Sequence, residues 1–377
     1  MNYLHRHLPH ALLVALIAGS MACDTAQNEE AYNPRSILPQ FEGEVIERHN
    51  GWLEIKPGGE TICSRGTDYS YFVKPGITDK VLVEFQGGGG CWDSVTCSIA
   101  GSIFTEDVEG VRAGAGLYAQ GIYDHTNPEN PFAGWTHVYV PYCTGDVHWG
   151  NQEYDYGSFT IQHKGFANAS SAMSWVNANI EAPSKIAVTG CSAGGYGSII
   201  WGAWLMEAFP ESHVVQFSDS AAGIITDTFF SDSFPKWGVD RAFPSWIPEL
   251  DLQKINYLDL DLTKVYQAIG KTYPSNTVAQ YNTILDRTQV QYYQVMDGGN
   301  AEEWSSQMTQ SMNTLTTTTP NFNTYIAPGS THCIIPSNDF YTLEVDGVRF
   351  VDWVRDLVNL SNTENIYCDS CSGFVSR

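Results

Sequence analysis

One stretch limits the fold more than any other. Lys185, Ile186, Ala187, Val188 and Thr189 make a short, largely apolar strand pattern that runs straight into Gly190, Cys191, Ser192, Ala193, Gly194 and Gly195. Ile199, Ile200, Ala203, Trp204 and Ala208 then recur at helical spacing. A strand that becomes a helix across one serine needs a sharp, strained turn. A Cβ two residues before or after that serine would strike the neighbouring strand or helix, which accounts for the glycines. The new helix aims its first amides and its positive dipole end at any oxyanion forming beside Ser192. A glycine-rich turn with an ordinary serine is the plainer reading of the same residues. The rest of the chain weighs against it, because the other parts of a nucleophilic site follow in order.

Residues 81–85 form a buried-strand pattern running into Gln86, four glycines (Gly87 to Gly90), Cys91 and Trp92. Only glycine lets a backbone approach a reacting carbonyl closely, so the amides of Gly88 and Gly89 are expected to face that of Ala193 as an oxyanion hole. A strand at 137–140 delivers Tyr142, Cys143, Thr144, Gly145, Asp146, Val147, His148 and Trp149 to the same sheet edge. The C-terminal edge of an open α/β sheet is where ligands bind, which makes Trp92, Tyr142, His148 and Trp149 candidate substrate contacts. For His148 a solvent-exposed loop histidine is the alternative.

The remaining pattern reads as an α/β chain. Residues 51–74 alternate like antiparallel strands, 167–179 have helical spacing, and 214–217 form a strand ending at Ser218, Asp219 and Ser220. Residues 229–273 break the pattern with aromatics and prolines and read as an inserted cap. Strand character is expected at 289–296, ending at Asp297. A helix is expected at 301–315, with 316–319 as a low-complexity link. A last strand at 323–327 leads to His332, and an amphipathic helix at 348–360 follows. The expected fold is α/β-hydrolase-like: a mostly parallel central sheet flanked by helices, in one catalytic domain over 41–377 with its cap at about 229–273.

A Ser-His-Asp triad needs a nucleophile, a base and a carboxylate that holds the imidazole tautomer. Ser192, Asp297 and His332 occur in the α/β-hydrolase order, each after an expected strand. Asp219 also follows a strand and is a rival for the acid. Asp286 is a second rival, upstream of the expected strand. Such a triad requires no metal and no cofactor, and no His/Cys group has zinc spacing.

The N-terminus reads as a secretory signal. Arg6 and three histidines precede an apolar run from 11 to 22 that ends at Ser20, Met21, Ala22 and Cys23. Ser20 and Ala22 suit ordinary signal cleavage after residue 22. The small residue before Cys23 suits lipoprotein processing, which the polar tether at 23–40 favours. Eight cysteines remain beyond Cys23, an even number that suits disulfides in an exported chain. Cys91 and Cys97 are close enough for a local loop, Cys368 and Cys371 suit a structural pair, and the others cannot be paired by spacing. The chain carries 19 basic and 42 acidic residues, a net charge of −23. Loss of residues 1–22 removes only Arg6 from that balance. So strong an acidity excludes nucleic acid as a partner, and leaves a membrane reachable only through a lipid at Cys23.

Taken together, residues 85–92, 130–146, 190–195, 218–220 and 332–333 resemble the pectin acetylesterase/Notum family. The resemblance covers about residues 60–335. It implies a serine carboxylesterase, acting on acetyl groups of pectin in plant members and on a fatty acyl group of a protein in animal Notum. It also implies an acid on the loop after the later strand, here Asp297. Gln86 stands where the family usually has Glu, Thr144 where plant members have Asp, and Gly89 and Gly90 where Notum has bulkier residues. The expectation is an exported esterase releasing acyl groups, acetyl first, from a polysaccharide or another acylated substrate. A lipid-ester or polyester hydrolase keeps the chemistry and changes the substrate. A catalytically silent, glycan-binding surface lipoprotein is the non-enzymatic alternative, which a serine-directed probe separates.

Overall fold

A computed structural model describes residues 33–47, 51–98, 103–113 and 120–368. The signal segment, Cys23 and Cys371 lie outside the described residues. Nine strands form one sheet in the order β1-β2-β3-β5-β4-β8-β9-β10-β11. The first four in that order are antiparallel: β1 (Glu44–Glu47), β2 (Leu53–Lys56), β3 (Tyr71–Lys74) and β5 (Thr136–Val140). From β5 onward every pairing is parallel, through β4 (Lys80–Phe85), β8 (Lys185–Cys191), β9 (His213–Asp219), β10 (Thr277–Thr283) and β11 (Phe322–Ala327). A separate hairpin pairs β6 (Gln152–Asp155) with β7 (Thr160–His163).

Side-chain alternation along the parallel strands feeds two cores, as expected for a sheet covered on both faces. Val81, Val83, Phe85, Ile186 and Val188 pack on one side, whereas Leu82, Ala187, Val215 and Phe217 pack on the other. The short α1 (Glu109–Arg112) precedes α2 (Gly165–Asn179) and α3 (Ala193–Ala208). Helix α3 is apolar nearly all round and is buried against β8 and β9. Next come α4 (Phe229–Trp237), α5 (Leu262–Thr272), α6 (Arg287–Val295) and α7 (Ala301–Thr318). The short α8 (Asp339–Thr342) and α9 (Phe350–Asn359) cover the second face, where α9 buries Phe350, Val351, Trp353, Val354, Leu357 and Val358. No helix among the described residues is long and apolar enough to cross a membrane.

Three expectations need correction. Residues 289–295 lie in helix α6, which Met296 caps, and form no strand. The strand at that place in the sheet is β10, whose buried Gln280 and Asn282 bond to each other and break any apolar run. Residues 316–318 continue α7 as helix. The end of the expected tether is docked: Pro34–Ile37 form a 3₁₀ turn, and Arg35 donates to the carbonyls of Ile180 and Glu181 at the C-terminus of α2. A cation there satisfies carbonyls that the helix leaves open.

Disulfides join Cys63 to Cys143, Cys91 to Cys97 and Cys191 to Cys333. Cys368 is disulfide-bonded as well.

Candidate active site

Ser192 stands between β8 and α3 with φ 56° and ψ −123°, a backbone conformation rarely adopted by a residue with a side chain. Its amide donates to the Asp219 carbonyl at 2.8 Å, and its carbonyl accepts from Gly195 at 2.8 Å. The glycines are required by contact. A Cβ on Gly190 would lie 2.6 Å from the Phe85 carbonyl oxygen, and one on Gly195 would lie 2.5 Å from the Ala221 Cβ. A Cβ on Gly194 would overlap the Phe85 carbonyl oxygen. The elbow fits against the end of β4 only without these side chains.

The loop after β4 is fixed from behind. Gln86 accepts the Tyr142 amide on Oε1 at 2.9 Å, and the Gln86 carbonyl accepts from His148 Nε2 at 2.9 Å. Gly87 approaches the elbow so closely that a Cβ on it would sit 3.2 Å from the Ser192 Cβ. Gly88 and Gly89 line the open side beside Ser192. Ala193 is the first residue of α3, so its amide is one that the helix itself leaves without a partner.

His332 follows β11 and keeps a fifth of its side chain exposed. Its Nδ1 lies 2.9 Å from both carboxylate oxygens of Asp286, which is fully buried. Asp286 is also the N-cap of α6, accepting the Thr288 and Gln289 amides at 3.0 Å, and it accepts the Gln289 side chain at 3.1 Å. Asp297, the carboxylate expected from the sequence, is exposed beyond the C-terminal end of α6. Because 287–295 is helix, Asp297 sits a helix length from the strand end, whereas Asp286 directly follows β10.

The rival Asp219 is buried and serves the backbone. Its Oδ2 accepts the amides of Ile334 at 2.7 Å and Ile335 at 2.9 Å, and its Oδ1 accepts the Ser220 hydroxyl. Burial pushes its carboxyl up to about 6, although those amides work in the opposite direction.

Two spaces meet at Ser192 and His332. One is a narrow, mainly apolar cavity lined by Trp92, Trp149, Ile224, Ile225, Phe229, Phe230, Leu262 and Trp304 among others. The other is an open, more polar cleft whose walls include Gln86, Thr105, Glu106, Asp107 and Tyr123. Trp92 and Trp149 therefore face the cavity as the sequence suggests. Tyr142 and His148 do not: both are fully buried behind the glycine loop, their rings 4.8 Å apart. Burial holds His148 down to about 4, so it is neutral and donates to the Gln86 carbonyl from Nε2. Of the aromatics at 229–273, Phe229, Phe230 and Trp237 reach the cavity, whereas Phe234 and Phe243 pack on each other. Lys236 and Trp237 donate to the carbonyls of Trp92 and Cys91, tying this segment to the glycine loop.

Sequence reasoning passed over Ser220, Gln289 and the Cys191–Cys333 bond. The signal for Asp286 was present in the chain: Asp286 followed three residues later by Gln289 is a helix-start pattern.

Similarity to known proteins agrees with this geometry. Crystal structures of the Wnt deacylase Notum from Drosophila share the fold. One crystal form has a TM-score of 0.59 at 15% identity, covering 87% of this chain and 97% of that one. A second form has a TM-score of 0.57 at 14% identity, covering 88% and 97%. Residues 55–249, spanning the glycine loop, the elbow and Asp219, match the pectinacetylesterase family model. With that match over more than half its length, and with a strained serine and a carboxylate-held histidine at one cavity mouth, this chain belongs to the pectinacetylesterase family of carboxylic ester hydrolases.

Proposed function

We propose that the protein is an exported serine carboxylesterase in which Ser192 attacks the ester carbonyl and His332 takes its proton. Asp286 holds the imidazole with Nδ1–H toward the carboxylate, leaving Nε2 as the base, and stabilises the imidazolium. The amides of Gly88, Gly89 and Ala193 receive the oxyanion, each worth roughly 3–4 kcal/mol by analogy with measured donors. The tetrahedral intermediate expels the alcohol, protonated by His332, and water then releases the acid by the same steps. The observation that carries the reading is the doubly contacted His332–Asp286 pair opening on the same two spaces as Ser192.

The cavity supports an apolar acyl group longer than acetyl, because an acetyl group would leave most of its aromatic lining in contact with water. The open cleft supports a polar alcohol, and a polysaccharide chain fits its openness. Its lining includes Glu106 and Asp107 and no lysine or arginine among the described residues, which favours an uncharged alcohol over a polyanionic one. The disulfides suit an oxidising compartment, reached through the signal at 1–22 with a lipid at Cys23. A p-nitrophenyl ester series from C2 to C16, with acetylated xylan and pectin beside it, tests this in wild type and Ser192→Ala. Turnover is expected to peak at medium or long chains and vanish in Ser192→Ala. Turnover retained by a folded Ser192→Ala protein would sink the mechanism. A peak at C2 with acetate released from xylan would move the substrate to acetylated glycans.

A further inference from the structure

His332 is held from two sides, and the two sides belong to different parts of the site. The segment before it is tied to the Asp286 loop: the Arg287 amide donates to the Ser330 carbonyl at 3.2 Å, and the Thr283 hydroxyl donates to the Thr331 carbonyl at 2.9 Å. The segment after it is tied to the nucleophile. Cys333 is bonded to Cys191, so the residue following the histidine is covalently joined to the residue preceding Ser192. The Cys333 amide donates to Ser220 Oγ at 3.0 Å, and Asp219 takes the next two amides on its carboxylate while its carbonyl accepts from Ser192.

Asp286 therefore fixes the imidazole's tautomer and direction, whereas the contacts after His332 fix how far the imidazole stands from Ser192. Without them the His332–Asp286 pair could stay intact and still drift from the nucleophile. A misplacement of about 1 Å costs on the order of a hundredfold in rate.

We propose that the Cys191–Cys333 disulfide, seconded by Asp219, is the positioning element that sets His332 against Ser192. This rests on the reading of those two residues as base and nucleophile. Of the three disulfides with both cysteines among the described residues it is the one that solvent reaches: Cys191 lines the open cleft and Cys333 is half-buried, while Cys63, Cys143, Cys91 and Cys97 are fully buried. A dithiol reductant can open it through one mixed disulfide, leaving two protein thiols and the cyclic oxidised dithiol.

The test compares Cys191→Ser/Cys333→Ser with Cys63→Ser/Cys143→Ser and Ser192→Ala, on p-nitrophenyl butyrate, under conditions where near-UV circular dichroism shows each protein folded. Opening the clasp is expected to lower kcat about 10- to 100-fold with KM within about twofold. The Cys63/Cys143 variant loses thermal stability and keeps its kcat. Wild-type kcat in the folded Cys191/Cys333 variant, or an equal loss in both disulfide variants, overturns the clasp. Activity surviving in Ser192→Ala overturns the reading beneath it instead. Should the Cys191/Cys333 variant not fold, wild-type protein is titrated with dithiothreitol and its free thiols are mapped by alkylation and peptide mass. Activity is expected to fall as the Cys191 and Cys333 thiols appear and to return on reoxidation. Full activity with that bond open overturns the proposal.

Discussion

Asp286 reaches His332 with both carboxylate oxygens at 2.9 Å from Nδ1 while capping the helix that follows it. One side chain thus fixes the histidine and starts α6, so the cap holds the carboxylate rigid. Asp286→Asn keeps an oxygen for the cap but presents an amide to Nδ1 and favours the wrong tautomer. It is expected to lower kcat by about 10³- to 10⁴-fold with modest change in stability. Asp297→Asn, at an exposed left-handed position that asparagine tolerates, is expected to stay within about twofold of wild type. Steady-state kinetics on both variants decide between the two carboxylates, and a reversed ranking would return the role to Asp297.

Much of this site was legible because its constraints are local. The glycines around Ser192 answer to contacts with Phe85 and Ala221, and such contacts leave a sequence pattern. The proposed acid, Asp286, was less legible for an equally physical reason. Gln289, Val290, Gln291, Tyr292, Tyr293, Gln294 and Val295 alternate polar and apolar closely enough to mimic a strand, and only their helical burial of Val290 and Tyr293 shows otherwise. Strand β10 was hidden because its buried polar residues, Gln280 and Asn282, interrupt the apolar run, Asn282 donating to Gln280 within the core. The clasp between Cys191 and Cys333 closes across 142 residues, a separation that no spacing rule reads.

Glu84 gives a pH dependence unrelated to turnover. It lies on β4 with Oε2 2.9 Å from His137 Nε2 and Oε1 accepting the Tyr123 hydroxyl. Burial pushes its carboxyl up to about 8 and holds His137 down to about 3, so both are neutral near pH 7 and form no ion pair. A carboxyl whose pKa is higher in the folded chain binds its proton more tightly there. The stability it confers is complete below its unfolded pKa of about 4.3 and is lost as pH rises toward 8. Glu84→Gln is expected to flatten the fall in unfolding free energy between pH 5 and about 8, by as much as a few kcal/mol. Denaturant titrations across that range check it, and parallel profiles for the two proteins would refute it.

The apolar cavity predicts a change in selectivity that leaves chemistry intact. Ile225 lines it alongside Phe229 and Phe230. Ile225→Trp fills space that a long acyl chain would occupy, and each excluded methylene is worth about 1–3 kcal/mol of discrimination. The ratio of kcat/KM for C12 over C2 p-nitrophenyl esters is expected to fall at least about tenfold, mainly through the long-chain term. An unchanged ratio would mean that the acyl group lies elsewhere, the open cleft being the alternative.

Gly88 tests the second half of the oxyanion site. A Cβ there would lie 2.7 Å from Thr105 Oγ1 and 2.7 Å from Tyr142 Cδ1, while the Gly88 carbonyl accepts the Thr105 amide at 2.8 Å. Tyr142 is pinned in turn, its hydroxyl accepting the Val147 amide at 2.9 Å, so it cannot swing aside to make room. An added methyl must therefore move the loop, and the loop carries the amides proposed to receive the oxyanion. Gly88→Ala is expected to lower kcat about 10²- to 10³-fold, the cost of one misplaced oxyanion donor, with KM nearly unchanged. The elbow itself is untouched, so Ser192 should still be labelled by a fluorophosphonate, at a reduced rate. Pre-steady-state acylation with a p-nitrophenyl ester separates the outcomes. A slowed burst at unchanged amplitude places the loss in the acylation transition state, and a wild-type burst would remove Gly88 from the oxyanion site.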